Sequence, residues 1–244
     1  MWATVLLVAV VTLQSCGMAY IHDAKLKVLL YALPLPLTAS TLVSGLPFEA
    51  THVIGIFTIW CILWLSWLLK SFRRLGIMAV LGIVMLLYLA TVFAVLSVIP
   101  KRGEPWEPYF YYGIAIFQFC LALLLRRLLP ERNDPGHHSS LPVYLKFTVI
   151  LVIVCCVVVA KDYLRGFMVS FPYITLFGLY ESRHSLYTFA WRNSYFILAA
   201  MPALTTFRLL FPDLTGIGWG LAGLWCVYLP LYFLFNRKLI FVFK

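Results

Sequence analysis

Charged residues fall in short clusters along this chain, and the stretches between them are almost wholly apolar. An α-helix needs about 20 mostly apolar residues to cross the hydrocarbon core of a bilayer, so the pattern predicts a succession of spanning helices. Reading from charge to charge gives Met1–Tyr20, Val28–Phe48, Val53–Leu69, Leu75–Pro100, Pro108–Leu125, Leu141–Ala160, Gly166–Tyr180, Asn193–Phe207 and Leu214–Asn236. The expected fold is therefore all-α and polytopic, with about nine transmembrane helices. The seventh and eighth spans are short. Lys146 inside the sixth is expected to snorkel its ammonium to the interface. The longest polar stretch, Arg126–Ser140, carries Pro, Gly and Asn-Asp and reads as a loop.

Composition narrows the class. Hydrophobic residues make up 63% of the chain and charged residues 11%, against about 25% charged in ordinary soluble domains, too few to coat a soluble globule. The six cysteines lie in apolar spans with no CxxC pair, which excludes a disulfide framework or a zinc ribbon. On a nine-span path, 14 of the 19 Lys and Arg fall on one side and 5 on the other. The positive-inside rule makes the richer side cytoplasmic, with the N-terminus outside and the C-terminus inside a cell inner (plasma) membrane. That bias accounts for the net charge of +10. The basic residues are scattered over loops, which argues against nucleic acid as a partner. The lipid bilayer is the implied partner, and self-association into a homo-oligomer is left open.

Two stretches look alike: Leu33–Trp60 and Ser170–Trp191. Each has a proline inside an apolar segment, then Glu-x-x-His, then an aromatic-rich span. The pairs Glu49/His52 and Glu181/His184 are both offset by 132 positions. The chain then divides into a first four-helix repeat (1–100), a linker helix and loop (101–140) and a second four-helix repeat (141–244). Four spans, one linker span and four spans make the halves antiparallel, the inverted-repeat plan of many secondary transporters.

The second half resembles the GlpM-like small membrane proteins, which are single four-helix units. The resemblance rests on the apolar run from Leu145, the Lys161–Gly166 turn, Phe171-Pro172 inside a span, the polar Glu181–His184 turn, and an aromatic span ending near Phe211. It implies two such units fused through a linker helix. It carries no activity with it.

Candidate chemistry follows the breaks. Proline removes a backbone N–H and clashes with the preceding turn, so Pro34 and Pro36 must break the second span, with Thr38, Ser40 and Thr41 just beyond. Pro172, Tyr173 and Thr175 are the counterpart in the seventh span. Broken helices at matching places in two halves point to a transport site, here for an unidentified small solute. Alternatively these are packing kinks whose hydroxyls bond back to their own helix. Gln118, the one strongly polar residue of the linker span, either lines the pathway or staples two helices. Glu49, His52, Glu181 and His184 are candidate gates or proton relays, since imidazole titrates near neutral pH. Two Glu-x-x-His pairs also occur in helical di-metal enzymes, but the extra helix-borne glutamates are missing, so no metal or other cofactor is expected. Arg183 is expected to pair with Glu181 at the surface, His137 and His138 to be solvated, Trp60, Trp64 and Trp67 to form an interfacial belt, and Trp106, Tyr109, Tyr111 and Tyr112 to anchor the other interface. No nucleophile elbow, triad or phosphate loop is present. A secondary transporter or channel is the leading expectation. A non-transporting accessory or scaffold protein of envelope synthesis comes second, and a metal-dependent membrane enzyme third.

Overall fold

The computed structural model describes residues 2–44, 49–100, 103–132, 134–137, 142–159, 172–210 and 217–236. Among them the chain forms ten α-helices and no strands: α1 (Trp2–Tyr20), α2 (Ala24–Tyr31), α3 (Leu35–Ser44), α4 (Ala50–Arg73), α5 (Ile77–Val98), α6 (Glu107–Leu128), α7 (Val143–Val159), α8 (Tyr173–Glu181), α9 (Leu186–Leu210) and α10 (Ile217–Phe235). Four of them, α4, α5, α6 and α10, are long and apolar enough to cross a membrane, and α1 contributes a shorter apolar helix.

Local chemistry explains the boundaries. Asp23 caps α2 by accepting from the N–H groups of Lys25 at 2.6 Å and Leu26 at 3.3 Å, satisfying donors that a helix start leaves open. Pro34 and Pro36 end the run, so α2 stops at Tyr31 and α3 restarts at Leu35. Glu49 and His52 form a reciprocal capping box at the start of α4. Arg74 closes that helix in the left-handed region, with φ 52°.

The long helix α9 sits at the centre and packs against α10, α6, α4 and α2. Every residue from Ser185 to Leu204 is buried except Phe196 and Pro202, which are half-buried. Its span was expected to be short, bounded by Arg192 and Arg208; instead both arginines lie inside a 25-residue helix. They can do so because each has a carboxylate partner, Glu131 for Arg192 and Glu107 for Arg208. By contrast α5 turns an apolar face outward, with Met78, Leu86, Phe93 and Val98 exposed.

Candidate functional site

At the α2–α3 break the prolines free backbone carbonyls that must find donors, because an unsatisfied polar group in an apolar interior is costly. The side-chain amide of Gln14 in α1 donates to Leu30 O at 2.6 Å and lies 3.4 Å from both Tyr31 O and Leu33 O. Tyr228 Oη in α10 donates to Ala32 O. Thr38, Ser40 and Thr41 donate back to carbonyls of their own turn, Pro34 O, Pro36 O and Leu37 O. Thr38 Oγ1 also accepts from Trp225 Nε1 at 2.9 Å. Between the break and α9 lies a void of about 10 Å³ lined by Pro34, Leu37, Phe196 and Tyr228 among others, at the lower limit for one water. The break is thus closed and packed.

The second proline segment meets the first. Pro172 precedes α8, and Thr175 in its first turns shares a 2.7 Å hydrogen bond with Tyr31 Oη. The Tyr31 ring packs on Phe189 of α9 with centroids 5.0 Å apart. The side chain of Tyr173 lies outside the described residues. Gln118 is buried and donates to Val53 O at 2.9 Å, joining α6 to α4.

The two Glu-x-x-His motifs lie at opposite ends of α9. Glu49 is in the α4 cap, where Glu107 from α6 accepts from Ala50 N at 2.8 Å and pairs through both carboxylate oxygens with Arg208. The Arg208 guanidinium lies 4.2 Å over the Tyr111 ring, a cation–π contact. At the other end, Asp134 accepts from Thr188 N at 3.0 Å at the start of α9. Thr188 and Arg208 are 20 residues apart on one helix, so at 1.5 Å per residue the ends are about 30 Å apart. The two motifs cannot share a metal ion. Among the described residues no group of three or more His, Cys, Asp and Glu is placed to hold one.

Glu181 is fully buried between two lysines. Lys146 Nζ lies 3.1 Å from Oε1 and Lys27 Nζ 4.0 Å from Oε2. Lys27 also donates to Glu181 O at 3.0 Å and to His137 O. Lys146 therefore reaches inward rather than snorkelling. Arg183, expected beside Glu181, instead donates to Tyr180 O at 3.2 Å. Its own carbonyl accepts from Lys70. His184 stacks on His137 with centroids 4.3 Å apart, so His137 is not simply solvated; His138 lies outside the described residues. Burial first, then the positive charge of Arg183, His184 and Lys27, holds the His137 imidazole below its ordinary value. Burial, then Lys70 and Arg183, does the same to His184. Lys27 is pushed down to about 8, chiefly by burial, against the upward pull of Glu181.

Neither a known protein family, nor a curated protein, nor a solved structure matches this chain. The geometry alone carries the functional reading.

Several residues that matter were not singled out by the sequence. Lys27, Glu107, Arg192 and Arg208 stood at the edges of apolar runs and served there only to mark span ends, and Glu131 lay within the Arg126–Ser140 loop. Their signal was available in one form: an ionisable residue flanked by apolar sequence on both sides needs a partner when buried. Which partner it takes depends on contacts about a hundred residues away, such as Glu107 with Arg208. The tryptophan stripe also divides. Trp60 is buried in the core, and Trp64 and Trp67 pack edge-on against Tyr187 of α9 at 5.9 and 5.2 Å. At the opposite end Trp106 and Tyr109 are exposed while Tyr111 is buried and donates to Leu204 O.

Proposed function

We propose that this chain is an integral membrane secondary transporter or channel for a small solute, working by alternating opening of its two ends. One observation carries the reading. The most buried helix, α9, is closed by buried ion pairs at both ends, Arg208 with Glu107 at one and the Lys27–Glu181–Lys146 cluster beside the other. The packed proline break lies between them. Buried ion pairs are poor sources of stability compared with apolar side chains of the same volume, so their presence at both ends suits contacts that must break and re-form. In this reading the present arrangement is closed at both ends, and the void beside Pro34 is what remains of the path. The chain crosses a cell inner (plasma) membrane nine times, N-terminus outside, as two inverted GlpM-like units joined by α6.

The packed state of the break also favours the second reading, a non-transporting scaffold. Accessibility separates the two. In a chain with its six cysteines replaced, Ala200→Cys would place a thiol beside the break. Under the transport reading, Glu107→Gln lets an impermeant thiol reagent reach it from the Arg208 end only, and Glu181→Gln from the other end only. A thiol that stays unlabelled in both backgrounds, in folded protein, refutes alternating access. Single cysteines at Ala50 and Ser182 test the inverted path, which requires labelling from opposite sides.

A further inference from the structure

One turn in from Thr188, the side chain of Arg192 is 3% exposed. Its Nη2 donates to one oxygen of Glu131. Among the described residues its Nε and Nη1 have no hydrogen-bond partner, and neither atom touches solvent. Tyr195 and Tyr232 lie within electrostatic reach of this guanidinium. Asn236, which follows α10, donates to Tyr232 Oη at 3.5 Å. Arg126 adds a second positive charge nearby, stacked 3.9 Å over the Tyr195 ring and donating to its hydroxyl, with its own Nε unpartnered among the described residues.

A guanidinium binds a carboxylate best as a fork, through two parallel N–H groups. Glu131 meets Arg192 at a single nitrogen, leaving the fork half used. The Glu131 side chain is 21% exposed, so it forms the outer cover of the pair. Its backbone is held in place: Tyr187 Oη donates to Pro130 O at 2.6 Å, and Thr188 Oγ1 donates to Arg132 O at 3.0 Å. A swing of the side chain, with this backbone in place, uncovers Arg192.

We propose that Arg192 anchors a binding site for a small organic carboxylate, and that the Glu131 side chain occupies this site as a built-in stand-in for the ligand. The structure itself identifies the chemical class, because the group seated on Arg192 is a carboxylate. An incoming carboxylate takes two N–H groups of Arg192 where Glu131 takes one, and it competes with a group that is permanently present. A competitor seated nine-tenths of the time weakens apparent affinity about tenfold. Binding and flux are separate readouts: a chain that binds a carboxylate but moves nothing refutes the transport reading and leaves this one standing.

The test is calorimetric titration of the detergent-purified full chain with sodium acetate, sodium succinate and sodium phosphate. The wild type should bind acetate or succinate weakly and saturably. Glu131→Gln keeps one acceptor but loses the competing charge, so in protein that stays folded by gel filtration it should tighten that binding by up to about tenfold. The double variant Glu131→Gln/Arg192→Gln should abolish it. That double variant removes both charges of the pair together, and gel filtration checks its fold. Three results overturn the proposal: no saturable carboxylate binding even in Glu131→Gln, undiminished binding in the double variant, or phosphate binding in preference to both carboxylates.

Discussion

Replacing Glu181 by Gln keeps the shape of the side chain and one acceptor but removes the negative charge that sits between Lys27 and Lys146, which are 1% and 7% exposed. Two buried ammonium groups are then left facing each other. Removing one partner of a buried pair costs about 3–5 kcal/mol. Lys27 keeps two carbonyl acceptors, His137 O and the backbone oxygen of residue 181, which places the cost near the lower figure, about 3 kcal/mol. For a chain of this size each kcal/mol shifts the melting temperature by about 2–4 °C, so Glu181→Gln should melt about 6–12 °C below wild type in detergent. Lys146 sits closer to the carboxylate than Lys27, 3.1 against 4.0 Å. A double-mutant cycle of Glu181→Gln with Lys146→Met should therefore show a coupling of at least about 1 kcal/mol, larger than the cycle with Lys27→Met. A variant melting within about 2 °C of wild type, together with a coupling below about 0.5 kcal/mol, would refute the claim that this cluster holds α2, α7 and α8 together.

Other outcomes follow from the same contacts. Glu107→Gln strips Arg208 of its paired oxygens and weakens the cap on Ala50 N; it should cost about 3 kcal/mol by melting, while Glu107→Gln/Arg208→Gln recovers part of that loss. The His137 and His184 imidazoles are held below their ordinary value of 6.5. The unfolded chain therefore takes up protons first, and stability should fall as pH drops through about 6.5; His137→Asn should flatten that slope in a melting series. For Lys27, pushed down from 10.5 to about 8, the unfolded chain again holds more protons, so stability should rise with pH between those two values. Thr38→Val leaves the Trp225 N–H without its acceptor and should cost about 1–3 kcal/mol. Thr41→Val removes a bond within its own helix and should cost about 0.5–1.5 kcal/mol in the same assay. Gly220→Val would drive a side chain into the Phe207 ring where α10 crosses α9 and should lower the melting temperature by an overpacking cost of about 1–3 kcal/mol or more.

Much of the helical framework was legible because charges bracket it. Lys70, Arg73 and Arg74 sit at the junction of α4 and α5, and Arg126 and Arg127 close α6. The break at Pro34 and Pro36 was legible from proline's missing N–H, and the structure puts the interruption at 32–34. What was not legible is where each broken or buried polar group finds its partner. Gln14, on a span with no charges, turns inward to serve the carbonyls of a helix that follows it. The Glu49/His52 pair caps a helix, a local role that the reading of it as a gate or relay passed over. The assignment of Lys146 to the interface failed because snorkelling assumes no better partner, and Glu181, 35 positions away, is one.

The distribution of polarity among the helices has a physical logic that also explains why α9 was read short. In water, burial and apolarity go together, because the hydrophobic effect drives apolar surface inward. Between helices in lipid that drive is absent, since acyl chains are as apolar as leucine. Association must then come from close packing and from polar contacts that lipid cannot offer. The helices obey this ordering. The strongly apolar α5 leaves most of its surface exposed, whereas the central α9 carries Thr188, Arg192, Asn193, Ser194 and Arg208 and buries the first four. Each of the two arginines is held by a carboxylate from a different part of the chain. A reading that ends a span at every charge will cut such a helix short at both arginines, and it will do so where the interior is most polar. The same rule turned round is a guide to packing: in a chain this apolar, a charge in the middle of a helix, such as Arg192, marks a place where a carboxylate from another segment holds the bundle together.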